Sequence, residues 1–435
     1  MQQDPSPPAG AVAASVAALS AEVQGSAASE LRRRIAFVVE TARRLHQYGT
    51  AAPRLESAID QLAARVGLRA QVWSSPTALI VSFADGSAEG ASLAEITQVM
   101  RLSPGDLDLR HLVEVNEIAD DVIAGRMNID VGFHRLQTMS DRIGRRGRLL
   151  EIACYGLVSG ALAALLHSAW ADVSAAALIG LAVGSMVAVS EGRPRLRNAL
   201  EALCALIVTL LATLISLYVT PLTLKPVVLA GLIVLLPGMT LTTAARELST
   251  QHLVSGVARF AGAITTLIKL AFGTVVANEL CKVLQLVPPA SSHAPVPGWA
   301  EWLALLAASY SFAVLFRAAR RDFPLVMLSA ALGYLITNYG GRAFTPEFGV
   351  FLAGLVMGAL SNAYARITNR PGALVREPGI ILLVPGSVGY LSLSLIAERD
   401  VFLGINTGVS VTAILACLIA GLLFGDLLVA PRRSL

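Results

Sequence analysis

Charged residues are scarce in this sequence. Only 15% of its 435 residues are Asp, Glu, Lys or Arg, against about 25% in an average soluble domain. Hydrophobic residues make up 55%, and the mean hydropathy is +0.65. Apolar runs of roughly 18 residues or more, each long enough to cross a bilayer, recur between residues 149 and 430. Since lipid offers the backbone no hydrogen bonds, such spans must be helical, and the composition predicts a polytopic α-helical membrane protein.

The sequence also lacks the motifs of several enzyme classes. It contains no P-loop, no G-x-S-x-G and no H-E-x-x-H, which argues against an ATP-driven pump and against a hydrolase. Its few cysteines lie far apart, without the spacing of metal ligands. They are Cys154, Cys204, Cys281 and Cys417. We therefore predict that the protein is not an enzyme and that it has no metal or cofactor.

The chain before the first apolar run divides into two parts. Residues 1–29 are rich in Ala, Ser, Pro and Gln, and they predict a disordered tail without the basic start of a cleaved signal peptide. Residues 30–148 predict a small α+β domain. Its helix FVVETARRLHQYG is expected to end at Gly49, and Pro53 suits the first turn of a second helix. RAQVWSS and TALIVSFAD predict two strands around Ser75-Pro76, and ASLAEITQVMRL a third.

The apolar part of the sequence predicts ten spans, whose orientation follows from the basic residues beside them. The net charge is only +4, and Arg and Lys cluster at alternate ends of the spans, which indicates topology rather than nucleic-acid binding. This asymmetry predicts that both termini and the domain of residues 30–148 lie in the cytoplasm. The predicted spans are 149–169, 173–190, 198–220, 226–245, 253–278, 299–316, 323–340, 347–366, 378–396 and 401–428.

The two halves of the membrane part resemble each other. Pro237 and Pro385 are 148 residues apart in similar L-L/V-P-G motifs, and Gly256 and Gly404 have the same separation. The pair Gly192-Arg193 precedes Gly341-Arg342 by 149 residues. With five spans in each unit, the second copy enters the membrane upside down, as in many secondary transporters. We predict an inverted repeat made of residues 149–286 and 299–430, joined by an external Pro-rich linker of residues 287–298.

The Pro-Gly motifs are the strongest candidates for a binding site. Proline removes a backbone hydrogen bond, glycine permits an unwound geometry, and a helix that restarts there presents free N–H groups to a carboxylate. Hydroxyl groups follow each motif and could bind an ammonium or hydroxyl group. Two simple proline kinks without a ligand are the alternative. The predicted substrate-binding residues here are Pro237, Gly238, Thr240, Thr242, Thr243, Pro385, Gly386, Ser387 and Tyr390.

Ionisable residues inside the spans are a second indication of function, because they are costly in lipid. Lys269, in AITTLIKLAFG, is the deepest, and we predict that it binds the substrate carboxylate or takes part in proton coupling. A lysine that extends its side chain to the interface is the alternative. Glu247 and Arg259 lie nearer the inner surface and are candidates for gating or coupling, or mark the ends of spans.

Several stretches resemble the threonine/serine exporter family of bacterial membrane proteins. YGTAAPRLESAIDQLAARVGL, SPTALIVSF and VNEIADDVIAGRMNIDVGFHRL resemble the first module of that family, and EPGIILLVPGSVGY resembles the second, smaller module. The resemblance covers about residues 30–430 and implies an exporter of L-threonine and L-serine in the bacterial cytoplasmic membrane, driven by the proton motive force. It implies no catalytic residue. The implied partners are a small amino acid, protons and the bilayer, with a homo-oligomer left open.

Three other functions remain as alternatives, and one of them is a membrane scaffold without transport, which the matched helix breaks disfavour but do not exclude. Related systems with the two modules on separate chains are associated with succinate export, so export of succinate or a similar dicarboxylate is the first. An enzymatic domain, for example a hydrolase, on a membrane anchor is the second, although His46, His111 and His134 are isolated on helical patterns and form no catalytic constellation.

Overall fold

The computed structural model describes residues 29–85, 96–140, 143–291, 293–383, 386–398 and 400–431. The tail expected over residues 1–29 lies almost entirely outside these ranges. Seven elements form the N-terminal domain, and their order agrees with the predicted α+β arrangement. They are α1 (29–47), α2 (Ala52–Arg65), β1 (Leu68–Ser75), β2 (Ala78–Asp85), β3 (Ile96–Arg101), α3 (Leu109–Ile123) and α4 (Ile129–Thr138).

The three strands form an antiparallel sheet in the order β1-β2-β3. The tight turn that was predicted at Ser75-Pro76 pairs Ser75 with Ala78, and Ala78 in turn faces Arg101 of β3. Alternate side chains of β2, from Leu79 to Phe83, are buried because one face of the sheet packs on the helices.

The ends of α1 and α2 follow the local sequence. Gly49 has a φ of +80°, a conformation that costs glycine little, and its N–H bonds to the carbonyl of His46. Pro53 lies in the first turn of α2, where a missing N–H costs nothing. The predicted cap and the predicted helix start are therefore confirmed.

Twelve further helices follow the domain. Among the residues that the structure describes, eight spans are long and apolar enough to cross a membrane, and a bent pair, α8 with α9, brings the number to nine. The helix α11 is apolar but has only 17 residues. The helices are α5 (Arg145–Leu165), α6 (Trp170–Ser190), α7 (Pro194–Tyr218), α8 (Leu224–Leu232), α9 (Gly238–Ser249), α10 (Leu253–Val283), α11 (Trp299–Leu315), α12 (Phe323–Ala343), α13 (Pro346–Thr368), α14 (Ala373–Ile381), α15 (Gly386–Ala397) and α16 (Val401–Leu428).

The N-terminal domain packs on one end of this helical bundle. The backbone N–H of Leu109 donates to the carbonyl of Phe316 at 2.9 Å, and the Asn116 side chain donates to the carbonyl of Asn369 at 3.4 Å. The hydrophobic core of the domain continues into the bundle through Val326 and Leu374, which are almost fully buried. Loops after α11 and α13 therefore lie on the same end of the bundle as the domain.

The loops after α5, α7, α10 and α15 meet at the opposite end. The N–H of Val296 donates to the carbonyl of Ser168 at 3.0 Å, and the rings of Trp170 and Trp299 lie 6.0 Å apart. Lys225 faces Glu398 at 3.6 Å. Successive helices thus run alternately from one end of the bundle to the other.

The pairing of helices in the first half recurs in the second. The helix α7 packs against α10 as α13 packs against α16, and α9 packs against α10 as α15 packs against α16. Single contacts recur as well: a Cβ at Gly256 would lie 2.7 Å from Leu248 Cγ, and a Cβ at Gly404 would lie 2.5 Å from Ile396 Cγ1. The two pairs of residues are separated by the same 148 positions as the Pro-Gly motifs.

Glycine permits the close approach of α10 to α7. A Cβ at Gly273 would lie 2.2 Å from the carbonyl oxygen of Ala202, whereas nothing lies within 4 Å of a Cβ at Gly262 on the same helix. We predict that Gly273→Ala destabilises the protein by about 1–3 kcal/mol, because backbone must move aside. Thermal unfolding of the full chain in detergent measures this loss. Gly262→Ala is the matched control, and an equal fall in melting temperature for both variants would contradict the packing argument.

Candidate functional site

The first Pro-Gly motif breaks a membrane helix in two. The helix α8 ends at Leu232, a short 3₁₀ turn covers Ile233–Leu235, and α9 begins at Gly238 with Pro237 as its N-cap residue. The two helices are bent by 59° at this point. Pro237 cannot donate a backbone hydrogen bond to continue α8, so the chain restarts as a new helix, as predicted.

The second motif lies at a corresponding break. The helix α14 ends at Ile381 and α15 begins at Gly386, while Pro385 lies outside the residues that the structure describes. The two breaks meet, because a Cβ at Gly386 would lie only 3.0 Å from Cα and N of Gly238. From this contact α9 runs to the end that carries the N-terminal domain, and α15 runs to the other end. The free N–H groups of two helix N-termini therefore lie close together.

A large cavity of about 960 Å³ opens at these breaks and extends to the N-terminal domain. Thr242 is 3% exposed, and its Oγ1 has no hydrogen-bond partner among the described residues. A buried hydroxyl without a partner is costly, so Thr242 is suited to bind a polar ligand. The predicted residues that line the cavity are Pro237, Gly238, Thr240, Thr242, Thr243, Gly386, Ser387 and Arg259.

Two predicted substrate residues do not line this cavity. Lys269 Nζ donates to the carbonyl of Asn198 at 3.0 Å and lies 3.4 Å from Glu201 Oε2 on α7. Tyr390 is buried, and its hydroxyl hydrogen-bonds the hydroxyl of Thr274 at 2.7 Å. The prediction that Lys269 and Tyr390 bind substrate therefore receives no support from their positions.

Glu247 and Arg259 form an ion pair at the boundary with the N-terminal domain. Glu247 is fully buried, and its Oε1 accepts from Arg259 Nε at 3.1 Å and from the backbone N–H of Ala52 at 3.0 Å. Its Oε2 accepts from the hydroxyl of Ser255 at 2.7 Å. One carboxylate thus joins α9, α10 and the first turn of α2, and it would lose the hydrogen bond from Ala52 if the domain moved away.

Sequence reasoning missed a group of arginines in the cavity wall. Arg54 from α2, Arg246 from α9 and Arg376 from α14 all line the cavity. Arg246 lies 3.6 Å from Asp426, and Arg376 donates two hydrogen bonds to Glu377. The charges beside the apolar runs indicated only topology, and nothing in the local sequence shows that Arg54 of the soluble domain reaches the same place.

These arginines affect each other electrostatically. Burial, and then the positive charges of Arg376 and Arg246, lower the pKa of Arg54 to about 10. Arg54 therefore stays protonated at neutral pH, in a part of the cavity where three arginines face two carboxylates, those of Glu377 and Asp426. Such a surplus of positive charge favours an anionic group in a ligand.

The part of the chain that the structure describes contains no cluster of metal ligands. No group of three or more His, Cys, Asp or Glu residues there could hold a metal ion. The four cysteines are free thiols, and three of them are buried. The cavity instead offers helix N-termini, hydroxyls and arginines, which are suited to non-covalent binding of a small polar molecule.

Comparison with known proteins identifies similar sequences along nearly the whole chain. Residues 36–281 match the threonine/serine exporter family model ThrE, and residues 301–428 match a second model described as "Threonine/Serine exporter, ThrE". A "Threonine/serine exporter" of Corynebacterium glutamicum is 24% identical over 336 residues, which cover 74% of this chain and 67% of the relative.

Yeast proteins are also similar. The "Pheromone-regulated membrane protein 10" of Zygosaccharomyces rouxii is 24% identical over 375 residues, covering 84% of this chain and 37% of the relative. The protein of the same name from Saccharomyces cerevisiae strain YJM789 is 23% identical over 367 residues, covering 83% and 47%. The chain thus spans less than half the length of these two yeast relatives. No solved structure matches.

His46 of α1 leads to a prediction about pH. It lines the cavity and is 3% exposed, and burial together with the positive charge of Arg259 lowers its pKa below the usual 6.5. Below pH 6.5 the unfolded chain binds this proton and the folded chain does not, so the protein loses stability as the pH falls. We expect His46→Gln to reduce the loss of melting temperature between pH 7.5 and pH 5.5.

His134→Gln serves as the control, because His134 is exposed on α4 of the same domain. Its melting temperature should depend on pH as the wild type does. An unchanged pH dependence in His46→Gln would show that the proton is taken up elsewhere.

Proposed function

Since the chain belongs to the threonine/serine exporter family, we propose that it exports L-threonine and L-serine across the cytoplasmic membrane, driven by the proton motive force. Members of the family are multi-pass membrane transporters and not enzymes. One observation carries the assignment of the site: the two Pro-Gly breaks meet at Gly238 and Gly386 on a cavity with hydroxyl and arginine side chains. Broken helices that meet inside the membrane part are a recurring way to build a transport site.

The proposed substrate lies at the junction of the breaks and the cavity. The N-termini of α9 and α15 supply N–H groups, and Thr240, Thr242, Thr243 and Ser387 supply hydroxyls. Hydroxyl groups suit threonine and serine, since each carries a side-chain hydroxyl that needs a hydrogen-bond partner once it leaves water.

We propose ten membrane crossings in an inverted repeat, with α11 as the shortest crossing and α8–α9 and α14–α15 as one broken crossing each. Support comes from the alternation of loops between the two ends and from helix contacts that recur 148 positions later in the sequence. The helix α10 of the first unit contacts α15 of the second, and α16 of the second unit contacts α9 of the first. Such reciprocal contacts fit two units related by a pseudo-twofold axis.

The end that carries the N-terminal domain is proposed to face the cytoplasm. Most basic residues near helix ends lie there, as the positive-inside rule requires of a cytoplasmic end. At the opposite end the described basic residues are Lys225, Lys282 and Arg342. Those at the domain end include Arg145, Arg146, Arg148, Arg193, Arg195, Arg197, Arg246, Arg317, Arg320, Arg321, Arg366, Arg370 and Arg376.

The Glu247–Arg259 pair is our candidate for the gate on this side. Glu247 holds the first turn of α2 against α9, and α2 covers the cavity from the domain side. Opening toward the cytoplasm would break the hydrogen bond between Glu247 and the N–H of Ala52. A proton on Glu247 would weaken this hydrogen bond. The pair therefore offers a route by which proton binding could be coupled to opening.

Thiol labelling tests the orientation. In a variant without the native cysteines, Cys is placed at His134 on α4 or at Ala290 in the loop after α10, both exposed positions at opposite ends. We expect a membrane-impermeant maleimide to label Ala290→Cys in intact bacterial cells, and His134→Cys only after the membrane is permeabilised. The reverse pattern would invert the proposed orientation.

Proteoliposomes test transport. Vesicles preloaded with labelled threonine should lose label faster when a proton gradient is imposed, and we expect Thr242→Val to slow this efflux about tenfold because it deletes a hydroxyl that the ligand would pair. Thr265→Val, at an exposed threonine of α10, is the matched control. Acceleration for succinate without acceleration for threonine or serine would replace the amino-acid function by dicarboxylate export. No flux of any of the three would overturn the transport site.

A further inference from the structure

Arg54 differs from the other arginines around the cavity. Its side chain makes no hydrogen bond or ion pair with any residue in the described ranges, whereas Arg246, Arg259 and Arg376 each face a carboxylate within 4 Å. Arg54 lies in the interior wall of the cavity, with Arg246 and Arg376 as its charged neighbours. A partly buried charge without a partner is unfavourable unless a ligand supplies the opposite charge.

Two contacts with the membrane part fix the first turns of α2, the helix that carries Arg54. The N–H of Ala52 donates to Glu247, and Glu56 lies 3.2 Å from the ring of His252. The second oxygen of Glu56 accepts from the backbone N–H of Ser74 at 2.8 Å. Arg54, between Ala52 and Glu56, is therefore held against the membrane part rather than free to turn to solvent.

A second group in the same wall also lacks a partner. The buried hydroxyl of Thr242 lies one helical turn before Arg246 on α9, so the two side chains share a face of that helix. Both line the cavity together with Arg54. An unpaired hydroxyl and an unpaired guanidinium on facing elements point to one polar ligand between them.

We infer that Arg54 of the N-terminal domain binds the carboxylate group of the transported molecule, together with Arg246 and Arg376. The domain is thereby part of the transport site itself. Glu377 completes the recognition of an amino acid: both donors of Arg376 bond to its Oε1, and its Oε2 has no hydrogen bond with a described residue, so this oxygen accepts from the substrate ammonium. The inference rests on the proposed function as far as the amino acid is concerned.

This arrangement assigns the domain a role in the transport cycle. A carboxylate held by Arg54 joins α2 to α9 and α14, so substrate binding strengthens the contact that Glu247 makes with Ala52. Entry of the substrate from the cytoplasmic side then requires α2 to separate from α9. Substrate binding and closure of the N-terminal domain over the site are therefore coupled.

The test compares substrates and variants in proteoliposomes that contain the full chain. The variants are Arg54→Gln, Arg54→Lys and, as matched control, Arg65→Gln at the exposed end of the same helix. The ligands are L-threonine and L-threoninamide, in which a neutral amide replaces the carboxylate. We expect Arg54→Gln to raise the KM for threonine at least ~10-fold with little change in threoninamide transport, because a charged hydrogen bond to the carboxylate is lost. Arg54→Lys should restore part of the affinity, and Arg65→Gln should match the wild type.

Thermal unfolding separates this role from a structural one. Without ligand, Arg54→Gln should melt at the same temperature as the wild type or higher, since it removes a partly buried, unpaired charge. Threonine should raise the melting temperature of the wild type and of Arg65→Gln but not of Arg54→Gln. A lower ligand-free melting temperature with an equal loss for threonine and threoninamide would overturn the inference.

Succinate and its monoamide distinguish failure of the inference from failure of the proposed function. If the wild type moves succinate and not threonine, the amino-acid function fails, and the inference stands only if Arg54→Gln loses the preference for succinate over the monoamide. If threonine is transported and Arg54→Gln has the wild-type KM, the inference fails and the proposed function stands.

Discussion

The contact between two interrupted membrane helices is the constraint on which the rest of the structure depends. Inside a bilayer each free N–H or C=O group is costly unless protein or a water-filled cavity surrounds it. The protein places both breaks in contact, with Gly238 against Gly386, so that each covers the other and both border one cavity. Four helix ends in one place bring polar backbone groups to that cavity in an otherwise apolar bundle.

Glycine also allows neighbouring membrane helices to pack closely at positions far from the breaks. At Gly273 the absence of a side chain brings α10 against the backbone of α7, and at Gly421 it brings α16 against the backbone of α13. These two positions are again 148 residues apart. The close packing of α10 and α16 on either side holds the short helices α9 and α15, which could not cross the bundle alone, in their positions around the cavity.

The N-terminal domain forms the wall of the cavity on the side where the membrane helices leave it open. Its contacts with the bundle are a mixture of backbone hydrogen bonds, shared hydrophobic core and the buried carboxylate of Glu247. Because its helix α2 forms part of the cavity wall, the domain is in a position to respond to the contents of the cavity. The helix α2 thus places the N-terminal domain at the cavity that we propose for transport.

The sequence alone determined those features that arise from local chemistry: apolar spans, the helix end at Gly49, the turn at Ser75-Pro76 and the break at Pro237. Proline, glycine and hydrophobic periodicity act over a few residues, so the printed order is enough. Only the tertiary structure decided which charges face the cavity, since this depends on how helices rotate and where the domain docks. Lys269 faces Glu201 and Arg54 lines the cavity because packing between distant segments places them there, and the local sequence carries no record of that packing.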